Sequence, residues 1–185
     1  MKWFSAFAGT PASARGSWSF DSTDLCGPVM ATVHLVCGYL GSGKSTFAKA
    51  LTIREAAIRF SIDDWYLRLF ADGPTYDVDR RSLARLFDVL NDLWPRIAHA
   101  GINVVLDFGF WSRSLRDDVR ERARLVGATA RLHWLRCPDD LAITRCLARN
   151  GQPDCFLISE EGFHALKQDF EPPGHDESYE VVQSP

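Results

Sequence analysis

The sequence predicts an α/β fold, a parallel sheet with helices packed on both faces. Three observations carry this. Short β-rich apolar runs alternate with helix-length amphipathic segments along residues 31–150. The run Ile102–Leu106 is almost continuously apolar, the pattern of a strand covered on both sides. A glycine-rich turn, Gly38–Ser45, separates a strand from a helix.

The elements follow in order. Ala31–Cys37 is the first strand, by length and apolar content. After the glycine-rich turn, Thr46–Glu55 reads as helix and Ala57–Ile62 as a second strand. Asp63 and Asp64 end that strand, and a short aromatic helix runs on to Phe70. Asp72-Gly73-Pro74 breaks the chain. The longest helix spans Val78–Ala100, with Leu83, Leu86, Phe87, Leu90, Leu93, Trp94 and Ile97 on one face. Pro95 lies inside it and cannot donate to the Asn91 carbonyl, which predicts a kink. Ile102–Leu106 is the third strand and terminates in Asp107. A helix from Arg113 to Val126 buries Leu115, Val119 and Ala123, and Thr129–Leu135 is the fourth strand. Pro138-Asp139-Asp140 opens a helix reaching Arg149. Beyond it come a helix near Ser159–Asp169 and a Pro/Glu-rich tail whose strand-like piece is Glu180–Val182.

Composition bounds the function. The 185 residues carry a net charge of −3, so a protein gripping a long nucleic-acid backbone, which usually shows a basic surplus, is disfavoured. No apolar run reaches the ~18 residues of a membrane span. Five cysteines form no C-x-x-C pair, as expected of reduced thiols in the cytoplasm. Residues 1–29, rich in Ser, Gly, Ala and Pro, read as a flexible leader, 30–170 as the folded domain and 171–185 as a tail.

Gly38-Tyr39-Leu40-Gly41-Ser42-Gly43-Lys44-Ser45 fits G-x-x-x-x-G-K-[ST] at every specified position. Glycines let backbone N–H groups converge on phosphate oxygens, Lys44 neutralises the outer phosphates, and the Ser45 hydroxyl can ligate Mg²⁺. Gly38, Gly41, Ser42, Gly43, Lys44, Ser45 and Thr46 are therefore the candidate ATP-binding residues. Asp107, at a strand end beside the ligand crevice, joins Ser45 as candidate metal ligand, although a turn aspartate would look the same.

Asp63 is the candidate base that accepts the proton of an attacking hydroxyl. Asp64 is the alternative, and Ser61-x-x-Asp64 also has the form of a helix capping box. Trp65, Tyr66, Phe108, Phe110 and Trp111 flank these carboxylates in sequence, placed to wall an acceptor pocket or to fill the core. Arg145 and Arg149, one helical turn apart, can close over the transferring phosphoryl group, or else form a solvated basic face.

With these features in this order, residues 31–150 resemble the small P-loop kinases, in the group holding polynucleotide 5′-hydroxyl kinases, chloramphenicol phosphotransferase and zeta-toxin-like proteins. The resemblance implies a P-loop NTPase sheet of order 2-3-1-4-5, ATP with Mg²⁺ on the glycine-rich turn and a lid near 145–158. It places Asp63 at the group's base position. One departure bears on the substrate: where polynucleotide kinases carry an arginine shortly after the acidic pair, this chain has Tyr66, with Arg68 two residues on. The expected reaction is ATP-dependent phosphoryl transfer to a small-molecule hydroxyl. A polynucleotide or nucleoside 5′-hydroxyl kinase and a non-catalytic nucleotide-binding module are the alternatives.

Overall fold

A computed structural model describes residues 30–71, 75, 78–152 and 155–184. The leader expected over 1–29 and residues 153 and 154 of the expected lid lie outside the described residues.

The elements are β1 (Thr32–Gly38), α1 (Lys44–Arg54), β2 (Ile58–Ser61), α2 (Ile62–Phe70), α3 (Arg80–His99), β3 (Val104–Gly109), α4 (Arg113–Leu125), β4 (Thr129–Arg136), α5 (Asp139–Arg149), α6 (Glu160–Lys167) and β5 (Glu180–Gln183). The five strands form one parallel sheet in the order β2-β3-β1-β4-β5. The strand-like piece in the tail is its fifth strand. None of the described helices is long and apolar enough to cross a membrane.

Period-two alternation on β1 builds both faces. Val33, Leu35 and Cys37 point into the larger core with Leu83, Leu86, Leu90 and Trp94 of α3 and Val119 and Ala123 of α4. Val36 faces the other way, onto Ala48 and Leu51 of α1. That same face holds His34 and His133, buried and stacked with a 2.9 Å Nδ1···Nε2 contact. A third cluster joins Tyr39, Trp111, Ala142, Cys146, Phe163 and Leu166, and seats α5 and α6 against the turn after β1.

Several boundaries differ from expectation in ways that bear on the site. α1 begins at Lys44, so Lys44 and Ser45 occupy a helical first turn rather than a loop. β2 stops at Ser61, whose hydroxyl accepts from the Asp64 N–H as the N-cap of α2 (3.3 Å). Asp63 and Asp64 thus sit in the first turn of a helix, where its positive end favours carboxylates, and not at a strand end. β3 runs two residues past Asp107, carried by its pairing with β1, while its pairing with β2 ends at Asp107. α3 passes through Pro95 as one helix, with the Trp94 indole N–H donating to the Asn91 side chain (3.0 Å).

The segment after α6 is strapped down. Arg116 of α4 is fully buried and grips Glu177 through two hydrogen bonds of 2.8 Å. Its remaining NH1 donates to the carbonyls of Phe110 (3.0 Å) and Glu171 (2.9 Å). Hydrogen bonds pull Glu177 well below the usual carboxylate range against the burial that opposes ionisation. The strap delivers residues 180–183 to the edge of β4.

Candidate functional site

The turn after β1 folds by alternating backbone hand. Gly41 and Gly43 have φ of +70° and +87°, a region only glycine enters cheaply. A Cβ on Gly41 would lie 2.1 Å from the Ala142 carbonyl oxygen, so the turn is also pressed against α5. Gly38 is crowded in turn, since a Cβ there would lie 2.7 Å from Ser42 Oγ. The Tyr39 carbonyl ties the turn together, accepting from Ser42 Oγ (2.7 Å) and from Lys44 Nζ (2.7 Å). The N-terminus of α1 opens directly from this nest, with no acidic residue in its first turn.

Lys44 is the half-buried cation of the cleft. Burial pushes its pKa down, and Asp107 and Asp63 pull it back up. Among the described residues its one hydrogen-bond partner is the neutral Tyr39 carbonyl, which leaves its charge available to an anion. Asp107 is 5 % exposed and pushed upward by burial, with Lys44, Arg59 and a hydrogen bond from Ser45 opposing the shift. Ser45 and Asp107 therefore lie together, a hydroxyl and a carboxylate with the hard oxygen chemistry that Mg²⁺ takes. The glycine cradle and this oxygen pair fit a magnesium-bound nucleotide.

Asp63 retains surface open to the cleft, but the surrounding protein keeps out enough bulk water to push its carboxyl up to about 6, with Asp107 adding repulsion. Asp64 is engaged elsewhere. Arg59 of β2 bridges it to Asp107, at 2.7 Å from the latter. Arg59 escaped the sequence reading. Its signal was a lone charge in the short run Ile58-Arg59-Phe60-Ser61, near strand residues that carry carboxylates.

Two cavities meet on this cleft. The larger, about 600 Å³, runs from the glycine turn between α1 and α5 to Val182, Gln183 and Ser184 at the end of β5. The smaller, about 340 Å³, lies beyond Lys44 toward α2, the end of β3 and the 155–158 segment. Leu40, Lys44, Ser45, Thr46, Asp63, Arg149 and Gln152 line both. The sequence offered no sign that β5 would wall the larger cavity, since the strand is remote in the chain and only four residues long.

The expected site residues fall here unequally. Gly41, Gly43, Lys44, Ser45, Thr46, Asp63 and Arg149 face the larger cavity, and Asp107 faces the smaller. Gly38 and Ser42 are buried beneath and shape the turn. The two arginines of α5 separate. Arg145 donates to Ser184 Oγ (2.5 Å), tied to the end of β5, and lines only the larger cavity. Arg149 stands where the two cavities join. Of the five flanking aromatics, Phe108 and Trp111 line the smaller cavity. Tyr66 and Phe110 belong to the main core, and Trp65 packs on Phe60 outside both cavities.

A model of the AAA domain family matches residues 33–173, more than half of the chain. The chain belongs to this family. Its P-loop fold is that of the small P-loop kinases. No curated protein matches the chain. Solved structures with this architecture include Kti12 of Chaetomium thermophilum in complex with ADP-AlF3 (14 % identity, TM-score 0.61, 82 % of this chain and 87 % of that one). They include a gluconokinase of Sinorhizobium meliloti (17 %, TM-score 0.57, 84 % and 82 %). A chain of the Pnkp1/Rnl/Hen1 RNA repair complex is similar at 22 % identity and TM-score 0.60, over 80 % of this chain. This protein spans only 50 % of that chain. Such varied relatives share a fold and select no substrate.

Proposed function

We propose that this protein is an ATP-dependent phosphotransferase that moves the γ-phosphate to a hydroxyl of a small-molecule acceptor. The observation that carries the reading is the meeting of two cavities at Lys44, Ser45, Asp63 and Arg149. One cavity has the cradle for a triphosphate and the other has room for a second molecule at its far end.

Gly41, Gly43 and the first turn of α1 hold the phosphates, and Lys44 neutralises the outer ones. Ser45 and Asp107 would hold Mg²⁺, which when bound neutralises charge on the β- and γ-phosphates. Asp63 accepts the acceptor's hydroxyl proton as the new O–P bond forms and the bond to the ADP oxygen breaks. A carboxyl near 6 is ionised at neutral pH while remaining a better base than an ordinary aspartate. Arg149 neutralises charge on the phosphoryl group in flight, and Arg145, tied to Ser184, steadies the nucleotide side.

The polynucleotide alternative loses support here. Tyr66, at the position where polynucleotide kinases carry an arginine, is buried and accepts from the Asp79 N–H (2.7 Å), while Arg68 lines neither cavity. Labelled ATP offered with a panel of hydroxylated metabolites and with 5′-hydroxyl oligonucleotides tests the reading. Transfer to a small alcohol supports it, transfer confined to oligonucleotides replaces it, and ATP binding without acceptor-stimulated ADP release favours a non-catalytic module.

A further inference from the structure

The smaller cavity has two unlike sides. Its floor toward the P-loop is polar, with Asp63, Asp64 and Asp107 balanced by Lys44, Lys49 and Arg149. Its far side is apolar, formed by Leu67 of α2, Trp111 after β3, Phe156, Ile158 and Leu166 of α6. Four of these five belong to the packed clusters of the fold, so the wall is firm. Trp111 is fixed at its backbone as well. Its carbonyl accepts from the Glu171 N–H (2.8 Å), and the preceding Phe110 carbonyl accepts from Arg116.

The charges on the polar side are already committed. Arg59 is shared between Asp64 and Asp107. Lys44 and Arg149 face the shared space where a triphosphate adds more negative charge. Among the described lining residues, Lys49 on the exposed side of α1 is then the one cation not committed to an ion pair or to the phosphates. An anionic acceptor would have to pair with Lys49 alone beside the Asp63 carboxylate. A neutral one would not.

We infer that the acceptor is an uncharged alcohol with an apolar or aromatic body, its hydroxyl at Asp63 and its body against the wall of Leu67, Trp111 and Phe156. The inference rests on the phosphotransferase reading for the hydroxyl's placement, while the apolar seat stands on the cavity itself. Burying a phenyl-sized body on such a wall is worth at least a tenfold gain in affinity over a bare polyol.

Calorimetric titration of the full chain tests this with four probes: 3-phenyl-1,2-propanediol, glycerol, gluconate and a 5′-hydroxyl hexanucleotide. Each is titrated with and without magnesium and a non-hydrolysable ATP analogue. The expected result is a Kd for the phenyl diol at least tenfold below those of glycerol and gluconate. Leu67→Arg, a change on a half-buried helix position, should erase that advantage, and Leu67→Met should retain it. Equal binding of phenyl diol and glycerol, tightest binding of gluconate or the hexanucleotide, or no binding of any probe overturns the inference. Failure of the ATP analogue to bind would defeat the phosphotransferase reading instead, and the titrations without nucleotide still decide the apolar seat.

Discussion

The two ends of the cleft are built in opposite ways. The phosphate cradle of the nucleotide end comes from eight consecutive residues, Gly38–Ser45, with two left-handed glycines and one lysine. The smaller cavity, the proposed acceptor end, is assembled from α2, the turn after β3, the 155–158 segment and α6, held by side-chain packing and by the Arg116–Glu177 clasp. A contiguous backbone site carries its chemistry in a short stretch of sequence, and α5 and the end of β5 only wall it. A site gathered from distant segments takes its shape from contacts far from the chemistry, and those contacts are where it can be altered without touching the cradle.

Lys44→Ala strikes the nucleotide end hardest. It removes the half-buried cation and should abolish measurable binding of magnesium-bound ATP, read by calorimetry, with Tm unchanged or raised because its surroundings already disfavour that charge. Retained affinity would break the division between the ends at its strongest point.

Asp63→Asn is expected to lower transfer by roughly 10²- to 10⁴-fold, the usual worth of a general base, with ATP affinity intact. In the wild type kcat/KM should fall as pH drops through about 6, since the base must be ionised in the free enzyme. The same shift has a stability sign. The folded pKa of Asp63, about 6, lies above the ordinary value of 3.8, so the folded chain holds this proton more tightly. Its contribution is fully present below about 4 and lost as pH rises through about 6. Asp63→Asn should therefore raise Tm at pH 8 relative to wild type while reducing activity. A lowered Tm at that pH would argue for a structural aspartate.

Glu177→Ala sharpens the acceptor end. It strands the fully buried Arg116, a loss of about 3–5 kcal/mol, or a Tm drop on the order of 10 °C. In the surviving folded fraction KM for the acceptor should rise more than KM for ATP, because Arg116 and Glu171 fix Phe110 and Trp111. Gly41→Ala confines its expected effect to the nucleotide end, where the new Cβ would lie 2.1 Å from the Ala142 carbonyl oxygen. It costs about 1–2 kcal/mol from the left-handed backbone alone, and contact with Ala142 adds to that. The effect should appear in the affinity for ATP and not in that for the acceptor.

How far the sequence could be read follows the same division. Gly38–Ser45 was legible because its chemistry is local: the glycines, Lys44 and Ser45 act where they stand in the chain. The sheet followed from the alternation of apolar runs with amphipathic helices, down to Glu180–Val182 as a strand-like piece. Asp63 and Asp107 were legible as carboxylates near the crevice, and of the two settings open for the acidic pair, strand end or capping box, the structure has the capped helix. A helix capped by Ser61 took the place of a strand end, because the Ser61 hydroxyl captures the Asp64 amide and turns the chain there. Arg59 left only the faint signal of a lone strand charge, and Ser184 and Leu166 were out of reach, since their place in the site depends on segments remote in the chain.

The most direct test is acceptor-stimulated ADP release across a panel of alcohols, measured with ATP affinity on the same samples of wild type and Asp63→Asn. Tight binding in both, with release stimulated by an alcohol in the wild type and reduced at least a hundredfold in the variant, is the predicted result. Equal stimulated release in the two proteins, or no affinity for magnesium-bound ATP in either, would contradict the account.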